Sequence, residues 1–137
     1  MVCKKKRYRV ITCDNQPKNP GHLIAHESYN ISTTDKEEVL NLGRKLKIDG
    51  IVAYGSDPAA PTASYVAEKM NLIGNPYNAV LTLTRKDFFK KFLKKNGFNV
   101  PLSKSFSDRY KAKNWLKKLK FPVFIKPVDS SGSKGIK

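Results

Sequence analysis

The order of apolar patterns constrains this chain most. In residues 8–76, short β-rich runs alternate with stretches whose apolar residues recur at helical spacing. YRVITC (8–13) and SYNIST (28–33) read as strands, and DNQPKNPG (14–21) between them reads as a loop. Thr34 and Glu37 form a capping-box pattern, and Val39, Leu42 and Leu46 follow on one helical face. DGIVAYG (49–55) is a compact apolar run, read as a buried parallel strand. After the turn SDPAAPT (56–62), Ala63, Val66, Ala67 and Met70 mark a second helix, and LIGNP (72–76) a short strand or turn. A β-α-β-α order implies an α/β fold with a parallel sheet covered by helices.

The character changes near residues 75–85. Thr84, with Asp87 three residues on, predicts the cap of a helix. That helix places Phe88, Phe89, Phe92 and Leu93 on one face and Lys90, Lys91, Lys94 and Lys95 on the other. Ala112, Trp115, Leu116 and Leu119 predict a further helix, FPVFIKP (121–127) a strand, and DSSGSKG (129–135) a polar loop. Charge follows the same division. Residues 1–84 hold 11 basic and 8 acidic side chains, a net of +3; residues 85–137 hold 16 and 3, a net of +13. So basic a segment needs water, a phosphate, a nucleic acid or an acidic surface beside it.

Several function classes drop out early. No apolar run approaches the roughly 18–20 residues of a membrane span, and the basic start MVCKKKR is followed by no apolar stretch that would make a secretory signal. Two cysteines, Cys3 and Cys13, are too few for a disulfide scaffold and read as reduced thiols of a cytoplasmic protein. His22 and His26 stand four apart, but no HExxH and no third ligand accompany them, so no metal site is expected. Neither GxxxxGK[ST] nor GxGxxG is present.

FPVFIKPVDSSGSKG is the most informative stretch. A strand ends in Lys126, and a loop of small residues follows whose backbone N–H groups can approach phosphates unhindered. The bland alternative is a strand followed by a solvated linker. Ser56 and Asp57 follow the third expected strand, at a carboxyl end where open parallel sheets bind ligands. They lead into a helix start, so Asp57 reads either as a helix cap or as part of a substrate site.

From Tyr8 onward the chain resembles the first part of an ATP-grasp ligase of the carbamoyl-phosphate-synthase large-subunit type. The resemblance rests on YRVITCDNQPKNPGH, ESYNISTTD, IDGIVAYGSDPAAPTASYVAEKMNLIGNP, TRKDFFKKFLKKNGFNVP and FPVFIKPVDSSGSKG, in that order and spacing. It implies a Rossmann-like pre-ATP-grasp domain over residues 1–80 and the start of an α+β ATP-grasp lobe over 81–137. It also implies ATP-dependent activation of a carboxylate to an acyl phosphate, followed by attack of an amine or similar nucleophile. Lys86 falls where the family has a lysine reaching ATP from a helix start, and Lys126 matches a second ATP-contacting lysine. Ser130, Ser131, Gly132, Ser133, Lys134 and Gly135 match the loop over the β- and γ-phosphates. ATP and magnesium are the cofactors implied, and no catalytic residue is assigned.

The family pattern is incomplete here. MVCKKKR stands in place of the usual first strand, glycine-rich turn and helix, and His26 stands where an acid is expected. Asp87, Asp108 and Asp129, the acids after residue 84, do not match a magnesium-binding cluster. The expectation is therefore a fragment of a ligase that supplies phosphate-binding elements and does not catalyse ligation alone. Its expected partners are ATP, a carboxylate substrate, and a separately encoded remainder or a second copy. The competing reading is a basic nucleic-acid-binding module using KKKR and the lysine-rich helices; charge alone supports only salt-sensitive, non-specific binding, and five ordered motifs favour the nucleotide.

Overall fold

The computed structural model describes residues 2–136. After the short helix α1 (Val2–Lys5), strand β1 (Ile11–Cys13) leads into helix α2 (Pro20–Ile24) and strand β2 (Glu27–Tyr29). The two strands pair in parallel, with Ile11 opposite Glu27, Thr12 opposite Ser28 and Cys13 opposite Tyr29. Five helices follow: α3 (Lys36–Leu46), α4 (Ala60–Lys69), α5 (Tyr77–Thr84), α6 (Lys86–Lys95) and α7 (Arg109–Leu116). The fold is mixed α/β with a small parallel sheet.

Local chemistry explains the element ends. The Asn19 side chain accepts from Gly21 N at 2.8 Å while Pro20 supplies the first helical position, and together they start α2. At α3 the cap is Asp35, whose carboxylate accepts from Glu38 N at 3.0 Å; the capping box expected at Thr34 does not form, because the chain enters the helix one residue later. Glu37 and Glu38 sit at the positive end of α3, Arg44 and Lys45 at its negative end. Lys47 takes a left-handed φ of 50°, letting Ile48 N reach Gly43 O at 3.2 Å and close the helix.

The core lies between α3 and α4. Val39, Leu40 and Val66 are its centre, with Cys13, Ile31, Ile48, Ile51, Tyr65 and Met70 packed around it. Gly43 allows the close approach of the helices: a Cβ there would stand 3.1 Å from both Ile48 Cδ1 and Met70 Sδ. Tyr65 Oη donates to Glu37 Oε1 at 2.7 Å and ties the same pair of helices at their edge. Burial and the neighbouring Asp14 push the Cys13 thiol up, which keeps it protonated.

Three further expectations are corrected. Residues 49–55 and 121–127 are not strands, since no backbone hydrogen bond among the described residues involves them. A β-rich run supplies the propensity, but a strand also needs a neighbour at ladder distance. Ile51 does pack on the core, while Val52 is 87% and Tyr54 100% exposed. Thr84 does not cap α6; it ends α5, where its hydroxyl donates to Val80 O at 2.9 Å. Residues 77–84, beyond the expected LIGNP element, form a helix of their own.

The histidines serve the sheet. His22 Nδ1 lies 2.8 Å from Thr12 Oγ1, and His26 Nδ1 accepts from Val10 N at 2.8 Å. Among the described residues no group of three or more His, Cys, Asp or Glu is placed to hold a metal ion. No helix of the described residues is long and apolar enough to cross a membrane.

Candidate functional site

The junction of α5 and α6 faces the glycine-serine loop across a cleft of about 480 Å³. Leu83 and Thr84 come from the end of α5, Lys86 from the start of α6, Asp57 from the turn before α4, and Lys126, Ser130 to Lys134 and Ile136 from the C-terminal segment. Residues far apart in sequence are thus brought around one space.

The junction is held by a charge pair and by the backbone. Arg85 takes an extended conformation between the two helices and donates to both carboxylate oxygens of Asp87, at 3.1 and 3.0 Å. Its guanidinium also lies 4.3 Å from the centre of the Phe88 ring. Burial works against the Asp87 charge, but the hydrogen bonds and charge of Arg85 prevail and hold that carboxyl below its usual value. Between them Lys86 is fixed to the loop twice: its N–H donates to Val128 O at 3.0 Å, and its ammonium donates to Ser130 O, 44 residues away.

The loop folds on itself. Ser130 Oγ donates to Lys134 O at 2.9 Å, and Lys134 N donates to Ser131 O at 3.3 Å. Gly132, Ser133 and Gly135 have φ values of 62°, 58° and 73°. Gly135 is needed for space as well, since a Cβ there would stand 2.9 Å from Pro127 Cγ. Among the described residues the N–H groups of Ser131, Gly132, Ser133 and Gly135 donate to no acceptor. Free backbone donors beside the ammonium groups of Lys86, Lys126 and Lys134 suit an anion bearing several oxygens. Among the described residues that line the cleft, Asp57 is the one carboxylate.

Of the residues singled out from sequence, Lys86, Lys126, Ser130, Ser131, Gly132, Ser133, Lys134 and Asp57 line the cleft. Gly135 does not; it supports the loop against Pro127. Ser56 does not either; its carbonyl accepts from Ala59 N and Ala60 N at 3.2 and 3.0 Å and starts the turn into α4. Asp57 is not the cap of α4, whose N-cap is Ala59 without a side-chain bond. Leu83, Thr84 and Ile136 were not anticipated. Helical spacing placed no element over 77–84, so nothing in the sequence aimed that helix end at the loop.

No family model matches the chain. It is 30% identical over 129 residues to the phosphoribosylamine–glycine ligase of Pyrococcus abyssi, covering 88% of this chain and 28% of the relative. It is 30% identical over 128 residues to the formate-dependent phosphoribosylglycinamide formyltransferase of a Nitratiruptor species, covering 92% and 33%. Against the carbamoyl phosphate synthase large chain of Methanosarcina barkeri the identity is 26% over 129 residues, covering 85% and 12%. The chain thus spans about a third or less of the curated relatives it matches. Among solved structures, the L-amino acid ligase of Bacillus licheniformis superposes with a TM-score of 0.69 at 23% identity, over 93% of this chain and 33% of that one. The biotin carboxylase domain of the Hydrogenobacter thermophilus 2-oxoglutarate carboxylase, solved with MgADP and bicarbonate, superposes with a TM-score of 0.65 at 22% identity, over 99% and 33%. By sequence and by fold, this chain is a relative of the ATP-grasp ligases, the carbamoyl phosphate synthase large chain among them.

Proposed function

We propose that this chain supplies phosphate-binding elements of an ATP-dependent carboxylate–amine ligase and does not complete the reaction alone. The observation that carries the reading is the cleft itself, which gathers Lys86, Lys126 and the 130–134 loop around one space. In this reading residues 1–80 are a partial Rossmann-like pre-ATP-grasp domain and 81–137 part of the ATP-grasp lobe. The relatives' printed names support ligation and acyl transfer on amines, and MgADP in a structure of the same fold supports the nucleotide.

The lining residues fit a polyphosphate. The lysines offset its charge, and the free N–H groups of the loop can donate to its oxygens. ATP, when bound, supplies the phosphoryl group that activates a carboxylate. Lys86 and Lys126 would hold the β- and γ-phosphates while the loop excludes water from them. Releasing the Lys86 ammonium from Ser130 O would free a donor for the nucleotide and let the loop settle over it. Magnesium fits poorly with these residues alone: Asp57 is a single carboxylate, whereas a hard cation asks for several oxygen ligands. The metal ligands, the carboxylate substrate's contacts and the amine site would then come from the remaining two-thirds of a ligase.

Thermal unfolding with magnesium-ATP, and separately with duplex DNA, tests the reading. A ligand at 100 times its Kd stabilises the folded chain by about 2.7 kcal/mol. The expected result is a raised midpoint with ATP that Lys126→Ala removes. A shift with DNA alone, vanishing in added salt, would instead assign the basic surface to non-specific nucleic-acid binding.

A further inference from the structure

We infer that Tyr65, Tyr77 and Glu68 are positioning residues for the cleft: they clasp the far end of an α4–α5 hairpin and so set how far apart the cleft walls stand. Their effect rests on the proposed function, because wall spacing matters through what the cleft binds.

The hairpin follows from which residues meet. Asp57, in the turn before α4, lines the cleft, and so do Leu83 and Thr84 at the end of α5. At the opposite ends, Glu68 near the close of α4 accepts from the N–H of Tyr77, the first residue of α5, at 3.0 Å. The two helices therefore run side by side in opposite directions, open at the cleft and closed at the turn between them. Each arm carries a different wall. Asp57 precedes α4, while Leu83, Thr84 and Lys86 come at the end of α5 or just after it.

The closed end is held by more than one contact. The rings of Tyr65 and Tyr77 meet edge to face, with centroids 5.4 Å apart and planes at 66°. The Lys36 ammonium, from the start of α3, lies 4.5 Å from the centre of the Tyr65 ring and 5.6 Å from that of Tyr77. Tyr65 Oη donates to Glu37 Oε1 at 2.7 Å, which ties the clasp to α3 as well. The turn itself lies tight on α4: Leu72 N donates to Ala67 O at 2.8 Å, and a Cβ on Gly74 would stand 2.8 Å from Ala67 Cβ. Among the described residues that line the cleft none is Tyr65, Tyr77 or Glu68, so their effect on it passes along the helices.

Leverage makes that effect large enough to matter. Helix α5 has eight residues. At roughly 1.5 Å per residue it is about 12 Å long, and a swing of about 10° at its first turn moves its last residue by about 2 Å. Such a shift exceeds what a hydrogen bond tolerates, and Lys86 stands two residues beyond Thr84.

The test measures two things on the full chain. Residual dipolar couplings of the α4 and α5 amides give the angle between the helices without ligand, and a titration gives the affinity for ATP. Tyr77→Ala is expected to turn α5 by about 10° or more and to weaken ATP binding about tenfold. Tyr77→Phe keeps the ring, and Glu68→Gln keeps an acceptor oxygen; both should hold the parent angle and affinity. Asp108→Ala is the control for lost stability alone. It removes the cap of α7, where the carboxylate accepts from Tyr110 N and Lys111 N at 2.7 and 3.2 Å, and should move neither reading. An unchanged angle in Tyr77→Ala, an equal turn in Tyr77→Phe or Asp108→Ala, or a turned α5 with ATP affinity intact overturns the inference. Should Tyr77→Ala fail to fold, Glu68→Ala, which removes the acceptor of Tyr77 N, carries the same two readings. Should the parent bind no ATP, the proposed function fails, and the helix angle alone decides the clasp: a turn in Tyr77→Ala that Tyr77→Phe lacks supports it, and no turn overturns it.

Discussion

Asp87→Asn removes one charge and keeps the shape of the side chain. Its consequence follows from the α5–α6 junction. Asp87 is 10% exposed and Arg85 36%, and the two make a bidentate pair. An exposed pair contributes about 0–1 kcal/mol, and a charge-assisted bidentate pair more. With one partner nearly covered and the other a third open to solvent, the estimate is about 1 kcal/mol at neutral pH. The sign with pH is fixed by the direction of the shift. The folded carboxyl titrates below its unfolded value, so its stabilisation is complete above about pH 4. It is lost as pH falls through the folded value. Urea unfolding of both proteins from pH 7 to pH 2 is the assay. The expected gap is about 1 kcal/mol at pH 7, closing below pH 4 as the parent loses its charge. A gap that stays constant to pH 2 would refute the charge argument. No gap at pH 7 would refute the pair's structural role. Because Lys86 lies between the two residues, the ATP-dependent midpoint shift should shrink in the same variant.

Three further outcomes are expected. Asp35→Ala should cost about 1 kcal/mol in chemical unfolding by removing the α3 cap, whereas Thr34→Ala should cost far less; the opposite order would restore Thr34 as the cap. Val66→Ala, at a position with 0% exposure between α3 and α4, should cost about 2 kcal/mol in lost transfer energy and cavity, and near-neutrality would show that the core lies elsewhere. Gly135→Ala meets both a φ of 73° and Pro127 Cγ at 2.9 Å; it should leave the unfolding midpoint of the apo chain within a few degrees and weaken the ATP-dependent shift, and an unchanged shift would separate the loop from the nucleotide.

Much of the candidate site was legible because its chemistry is local. Lys126 followed by small residues is a pattern that can be read along the chain as a candidate anion loop, whereas Lys86 stands out only through the family resemblance. The partners of those residues were not legible. That Lys86 bonds Ser130 O and Val128 O, and that Thr84 ends one helix instead of opening another, depends on the α5–α6 junction. Ser56 and Asp57 looked equivalent in sequence. They parted because only Asp57 faces the cleft, while Ser56 turns its carbonyl to the start of α4.

By itself the sequence determined the mixed α/β order, the amphipathic α3, α4 and α6, the basic C-terminal third and the loop chemistry. Each of these is a near-neighbour property, carried by apolar period, capping residues and glycine. Tertiary structure alone decided which β-rich runs become strands. Residues 11–13 and 27–29 meet in register and pair, whereas 51–54 and 121–126 are as β-rich and meet no partner among the described residues. A helix closes its hydrogen bonds within its own segment, so its pattern can be read along the chain. A strand closes them on another segment, and the chain pattern does not say whether that segment is there.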